Sequence, residues 1–200
     1  MRNPVGFFSK LRGMLGRLDQ SQVDGINFLV ESMEDDPAMS LMQFKGYALA
    51  TAWHETNRTM QPIREYGSDA YLDKYDTGEL AAALGNTPED DDDGILYCGR
   101  GYVQITGADN YRRFGKILNL PLLEQPDLAL KPEVAYQILS IGMTAGIFTG
   151  KRLSQYFGMG IENPIGARRV VNRLDKAEKI AAYYAIFMLA LRAGESLSDA

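Results

Sequence analysis

Two glutamates ten residues apart, Glu55 and Glu65, are the side chains best suited to chemistry in this chain. In ALATAWHETNRTMQPIREYG (48–67), Glu55 follows Ala48, Ala52 and Trp53 on what reads as one long, largely apolar helix. A carboxylate that apolar neighbours desolvate can keep its proton near neutral pH and act as a general acid. Pro62 bars that helix from continuing. Glu65 is therefore expected to turn back and face Glu55, with Arg64 beside it as a countercharge. Two carboxylates in unlike surroundings are what cleavage of a glycosidic bond needs. The pair also reads as a surface glutamate and an exposed turn glutamate, and the spacing alone leaves both open. His54, the only histidine, has no partner ligands for a metal and reads as structural or substrate-contacting.

A second stretch, CGRGYVQITGADNY (98–111), combines close-packing glycines with polar side chains. Gln104 and Thr106 alternate with Val103 and Ile105. An extended segment would put the amide and the hydroxyl on one face, as an edge for sugar and water. No Lys-Ser/Thr pair follows, so a phosphate-cradling loop is not expected.

The elements that must position these residues are mostly helices. Asp19 and Gln22 have capping-box spacing, ahead of Val23, Ile26, Leu29, Val30 and Met33 at helical intervals. Asp36-Pro37 reads as a cap and first-turn proline, opening a helix through Leu41, Phe44, Ala48, Ala52 and Trp53 to about Thr59. Further helices are expected from Thr77 to Leu84, closed by Gly85, and from Pro132 to Phe148, with Val134, Ile138, Ile141 and Ala145 on one face and a stop near Gly150. Asp175 is expected to cap a last helix through Arg192. Tyr102 to Thr106 is the one convincing β-like piece. The class is mainly α.

Composition sets the limits. Two hundred residues, 46% hydrophobic and 24% charged, make one domain of ordinary size with a real core. A net charge of −5 argues against a general nucleic-acid binder. One cysteine, Cys98, excludes an internal disulfide, and with a single histidine it leaves no His/Cys zinc site. The longest near-unbroken apolar run, 180–191, is too short to span a membrane. Residues 1–18 interleave Arg2, Lys10, Arg12 and Arg17 with Phe7, Phe8, Leu11, Met14 and Leu15. That is not the layout of a signal peptide. It reads as a first helix or loose arm, with a membrane-surface helix as the alternative. The acidic run Glu89–Asp93 lacks the alternating register of a calcium loop and reads as a solvated loop, with an adventitious cation site as the alternative. No metal and no cofactor are expected.

WHET, QPIRE, GRGYVQITGADNY, PDLALKPEVA and RRVVN, in that order, resemble the family 19 glycoside hydrolases, which include plant chitinases and many bacteriophage lysins. The order and spacing resemble the small phage endolysins most. The resemblance runs from about Gln20 to Leu191. It implies a lysozyme-like, two-lobed helical fold with a substrate cleft and at most a small β element. Residues 19–200 would then form one catalytic domain, with 1–18 outside it. It also implies Glu55 as the general acid and Glu65 as the base, although the loop between them is far shorter than in plant chitinases; Asp69 and Asp73 are the other candidates. Thr106 would help hold the water, with Gln104, Asn110 and Asn172 binding substrate and His54, Tyr102 and Tyr111 completing that set. The anomeric centre would invert, with the carboxyls roughly 6.5–9.5 Å apart.

The expected function is an endolysin cutting β-1,4 bonds of peptidoglycan. A chitinase and an inactive sugar-binding module are the alternatives. Arg100, Arg112, Arg113, Arg168 and Arg169 would form a basic patch against the anionic wall. The expected partners are glycan strands and a holin-type pore. The protein would be a monomer, held in the host cytoplasm until release.

Overall fold

The computed structural model describes residues 1–196. Its helices are α1 (Pro4–Leu15), α2 (Gln20–Glu34), α3 (Met42–Glu55), α4 (Asp69–Leu72), α5 (Gly78–Leu84), α6 (Asp93–Leu96), α7 (Ala108–Leu118), α8 (Pro132–Ala145), α9 (Pro164–Ala167) and α10 (Ala177–Glu195), joined in places by single 3-10 turns. Strands β1 (Ile63–Arg64) and β2 (Arg100–Gly101) form one antiparallel ribbon, and β3 (Phe157–Gly158) and β4 (Ile161–Glu162) another. The protein is mainly α, as its periodicity predicts.

The chain divides into two compact units, residues 1–60 with 139 onward, and residues 61–138. The divisions fall after Met60 and inside α8. The last four residues of the expected domain 19–200 lie outside the described residues.

In the first unit α10 packs against α1, α3 and α9. Trp53 of α3 meets Tyr183 and Phe187 of α10 edge-on, with ring centroids 6.4 and 6.1 Å away. Gly46 lets the two helices approach, since a Cβ there would sit 2.7 Å from the Met188 sulfur. Asn3 caps α1, and the Asn3 N–H donates to the Gly194 carbonyl at 2.8 Å. Phe7, Phe8 and Leu11 are buried. The first helix is thus part of this core. Of the apolar side chains that a membrane-surface helix would insert, Phe7, Phe8 and Leu11 face inward, while Met14 stays exposed with Arg2, Lys10, Arg12 and Arg17. Among the described residues no helix is long and apolar enough to cross a membrane.

Local signals decide several boundaries differently from the sequence reading. Asp19 and Gln22 form the capping box as expected. Asp36 caps only the 3-10 turn Pro37–Met39. The chain then restarts at Met42, leaving Leu41 39% exposed rather than in the core. Helix α3 stops at Glu55, four residues early, because Asn57, Arg58 and Met60 all take positive φ. Gly146, at φ 75°, ends α8 before Phe148. The buried face of α8 is Ala135, Tyr136, Ile138, Leu139 and Met143, with Ala145 exposed. Lys176, not Asp175, precedes α10, which continues through Gly194.

In the second unit α5 ends on Gly85 in the left-handed region, as predicted, and packs on α7. The expected strand 102–106 is instead a tight turn. Gln104 has φ 53°, and Arg100 and Ile105 exchange backbone hydrogen bonds at 3.2 and 3.0 Å. The glycines favour this because Gly101, at φ 87°, packs so closely that an added Cβ would sit 3.1 Å from the Ala129 carbonyl.

Candidate active site

Glu55 is the last residue of α3 in the first unit, where the helix presents the negative end of its dipole. A carboxylate there needs a countercharge. Arg168 supplies one, donating from Nη1 to Glu55 Oε1 at 2.6 Å. The guanidinium is buried, 3% exposed against 18% for the glutamate side chain. Its Nε donates to the Asp175 carbonyl at 2.9 Å, which fixes its plane. The short α9, capped by Asn163, leads directly into the 3-10 turn that begins at Arg168. The wholly apolar setting expected for Glu55 is therefore broken by one ion pair. Arg168 is engaged inside the unit and is not part of a surface patch.

Thr56 closes the helix behind Glu55, its hydroxyl donating to the Ala52 carbonyl at 2.7 Å. The Arg58 N–H donates to the Trp53 carbonyl at 2.8 Å as the chain turns away. His54 is half-buried; burial lowers its imidazole below the ordinary value, against the opposing pull of Glu55. Two and one turns before Glu55, the Tyr47 hydroxyl and Thr51 Oγ1 are buried without hydrogen-bond partners among the described residues. Burial pushes the Tyr47 phenol far up, Arg168 opposing and Glu55 adding. Asn172 is exposed, its side chain accepting the Arg173 N–H at 2.8 Å. It lines a surface hollow of about 560 Å³ with Thr149, Lys151, Arg169, Arg173 and Leu174.

Glu65 lies in the second unit, just past β1, where its N–H donates to the Gly99 carbonyl at 2.7 Å. Its carboxylate collects donors from three directions. The Tyr75 hydroxyl donates to Oε1 at 3.0 Å, Lys74 Nζ stands 3.7 Å from Oε1, and the Gly99 N–H donates to Oε2 at 3.2 Å. Arg64, its expected countercharge, instead donates to the Ile95 carbonyl. Burial and the Glu65 charge both raise the Tyr75 phenol, with Lys74 opposing. Gly99 is needed here, since an added Cβ would lie 2.9 Å from Gln104 Oε1 and 3.1 Å from Glu65 Oε2.

The turn after β2 holds most of the other candidates. Gln104 Nε2 donates to the carbonyls of Ile63 and Gly101 at 2.9 and 3.0 Å, so both amide protons fasten the ribbon. The Thr106 hydroxyl donates to the Gln104 carbonyl at 3.0 Å, and toward a water it can then act only as an acceptor. Asn110 Nδ2 donates to the Thr106 carbonyl at 2.8 Å. Tyr102 and Tyr111 are buried, 1% and 0% exposed, and belong to the core. The Tyr111 hydroxyl donates to the Cys98 carbonyl at 2.7 Å and accepts from Arg100 at 3.0 Å. Arg100, itself buried, also donates to Asp127 at 2.8 Å, which removes it from the expected basic patch. The second unit thus brings Glu65, Gln104 and Thr106 onto one ribbon and its turn, with Asn110, in the first turn of α7, fastened to Thr106. The sequence reading missed Arg168 as the partner of Glu55, and Tyr75 and Lys74 as partners of Glu65. Only the RRVVN motif carried any signal, for Arg168.

No family model matches the chain. An endochitinase of Arabidopsis thaliana is 42% identical over 77 residues, which is 36% of this chain and 25% of that protein. A second Arabidopsis endochitinase is 40% identical over 74 residues, 36% of this chain and 26% of its own length. The chain thus spans about a quarter of the length of the curated relatives it matches. Among solved structures, chitinase C from Streptomyces griseus superposes with a TM-score of 0.57 at 17% identity, covering 95% of this chain and 78% of that one. A bacterial family 19 chitinase gives 0.53 at 18% identity, covering 92% and 93%. In sequence over some 77 residues, and in fold over nearly its whole length, the chain is similar to the family 19 chitinases.

Proposed function

We propose that this protein is a glycoside hydrolase that cuts β-1,4 bonds in polymers of N-acetylated amino sugars, with peptidoglycan glycan strands as its substrate. One observation carries the reading. Two half-buried carboxylates, each held by its own donors in unlike settings, occur in a chain with the fold of the family 19 chitinases.

The roles follow from the surroundings. Glu55 gives its proton to the leaving glycosidic oxygen, and the bonding pair goes to that oxygen. Arg168 stands beside the new carboxylate as its countercharge. Glu65 accepts a proton from a water that Thr106 helps to orient, and the water oxygen attacks the anomeric carbon from the opposite face. Inversion results, and the reading requires the two carboxyls to lie roughly 6.5–9.5 Å apart, since about 5 Å would imply retention. On this reading the protein is a lysin that reaches the wall through a holin-type pore. A second reading, hydrolysis of chitin, is favoured by the relatives and solved structures being chitinases.

The test is purified protein on chloroform-permeabilised Gram-negative cells and on colloidal chitin in parallel. Clearing of cells that Glu55→Gln lowers roughly a hundred- to ten-thousandfold, measured well below the variant's own melting temperature, is the expected result. Sugar release from chitin alone selects the second reading. Wild-type activity in Glu55→Gln overturns both. A small loss in Glu65→Gln would move the base to Asp69 or Asp73.

A further inference from the structure

Glu89 to Asp92 of the acidic run are exposed, as the sequence suggests, but Asp93 turns inward. Asp93 is only 8% exposed, and Asp76, from the turn after α4, is 1% exposed. Asp76, Asp91 and Asp93 each bring one carboxylate oxygen within 4.8 Å of the others, and Asp73, Asp76 and Asp90 do the same. The Asp76 carboxylate accepts the N–H groups of Gly94, Asp91 and Asp92 at 2.8, 3.1 and 3.3 Å. Gly94 makes the approach possible, since an added Cβ there would lie 2.6 Å from the Asp76 backbone nitrogen.

Charge is not balanced inside this cluster. Asp93 Oδ2 accepts the Thr87 N–H at 2.7 Å, while Oδ1 is buried with no hydrogen-bond partner. Among the described residues no lysine or arginine lies within 4.0 Å of any of the five carboxylates. A buried, unpaired carboxylate oxygen is costly, and either a proton or a cation can relieve it. Burial raises Asp93, with the Asp91 and Asp76 charges adding. Asp76 stays low because of its backbone donors, Gly94 first. The donor set is all oxygen, with no imidazole or thiolate, which suits a hard divalent ion.

We propose that Asp76, Asp91 and Asp93, with Asp73 and Asp90 beside them, form a binding site for a hard divalent cation, calcium above magnesium. Calcium tolerates many carboxylates in irregular geometry, whereas magnesium demands a near-ideal octahedron and keeps its waters. The ion would clamp the acidic run onto the turn Asp73–Asp76. The same turn carries Lys74 and Tyr75, the two side chains that hold Glu65. Cation binding is independent of the proposed function; an effect on turnover rests on Glu65 being the base.

The test uses the full chain after chelation, melted with and without calcium chloride, together with calorimetric titration of calcium. At calcium about a hundredfold above its dissociation constant, the melting temperature should rise by roughly 5–10 °C. Asp93→Asn should abolish the rise, and Asp91→Asn, at an exposed position that leaves folding intact, should weaken binding at least about tenfold. No rise, a rise matched by sodium at equal ionic strength, or an unchanged rise in Asp91→Asn overturns the site. A calcium-dependent rise with a hydrolysis rate indifferent to chelation overturns only the link to Glu65.

Discussion

Glu55 and Glu65 have the same side chain and nearly the same exposure, yet the two units hold them by opposite means. Glu55 rides on a 14-residue helix and depends on one buried guanidinium that arrives from more than a hundred residues downstream. Glu65 directly follows a two-residue strand and depends on several weaker donors within 35 residues of it. A single buried pair is an all-or-none support, because removing one member strands the other. A distributed set of partly exposed donors loses one member at modest cost. On the proposed roles, Arg168 would orient Glu55 and steady the carboxylate left after proton transfer, while the looser donors would let Glu65 follow a water.

The contrast is sharpest in the ion pairs. Arg168→Met should cost about 3–5 kcal/mol, because it leaves Glu55 without its countercharge at the negative end of α3. In a chain of this size that is a fall of roughly 6–20 °C in melting temperature. The Glu55→Gln, Arg168→Met double variant should recover part of it, and the double-mutant cycle measures the coupling. Lys74→Met, which removes an ammonium 3.7 Å from Glu65 and 37% exposed, should cost no more than about 1 kcal/mol. Equal losses in the two variants would remove the distinction.

The Tyr75 hydroxyl tests the middle of the range. Its bond to Glu65 at 3.0 Å is half-buried and ends on a carboxylate. Tyr75→Phe should cost about 1–2 kcal/mol of stability. If Glu65 is the base, hydrolysis should slow by roughly tenfold through kcat rather than KM. A rate unchanged within twofold would show that Lys74 and Gly99 alone are sufficient support.

How much could be read in the sequence follows the same division. The helical unit was largely legible. The 3.6-residue spacing of Ile26, Leu29, Val30 and Met33, and of Ala48, Ala52 and Trp53, reports their burial directly. The α3 boundary was missed because three non-glycine residues, Asn57, Arg58 and Met60, take left-handed conformations that no propensity favours strongly. In the second unit the alternation of Val103, Gln104, Ile105 and Thr106 suggested a strand, but the flanking glycines made a turn, and Gln104 spent its amide on the backbone. Tyr102 and Tyr111 looked like ligand contacts because aromatic side chains at a site and in a core are indistinguishable by type. The pairings that Arg168, Tyr75 and Asp76 make could not be read for a common reason. Each acts across a separation that only the folded chain closes.

His54 offers the finest discrimination, because it is the only histidine and adjoins Glu55 without sharing its ion pair. Burial lowers its imidazole, Glu55 and Asp175 pull it up, and Arg168 and Lys179 push it down. The folded state therefore favours the neutral ring. Below the ordinary value near 6.5 the unfolded chain binds a proton that the folded chain resists. The stability that neutral His54 contributes is complete above that value and is lost as the pH falls below it. His54→Gln carries no such proton. The difference in melting temperature between wild type and His54→Gln, measured at pH 7.5 and again at pH 5.5, should shift toward the variant at the lower pH, whereas substitutions at Lys74 or Tyr75 should leave that shift in place. A difference that does not change with pH would mean that the pull of Glu55 offsets burial in full, and that the surroundings of the helix-borne carboxylate are less desolvated than its buried arginine implies.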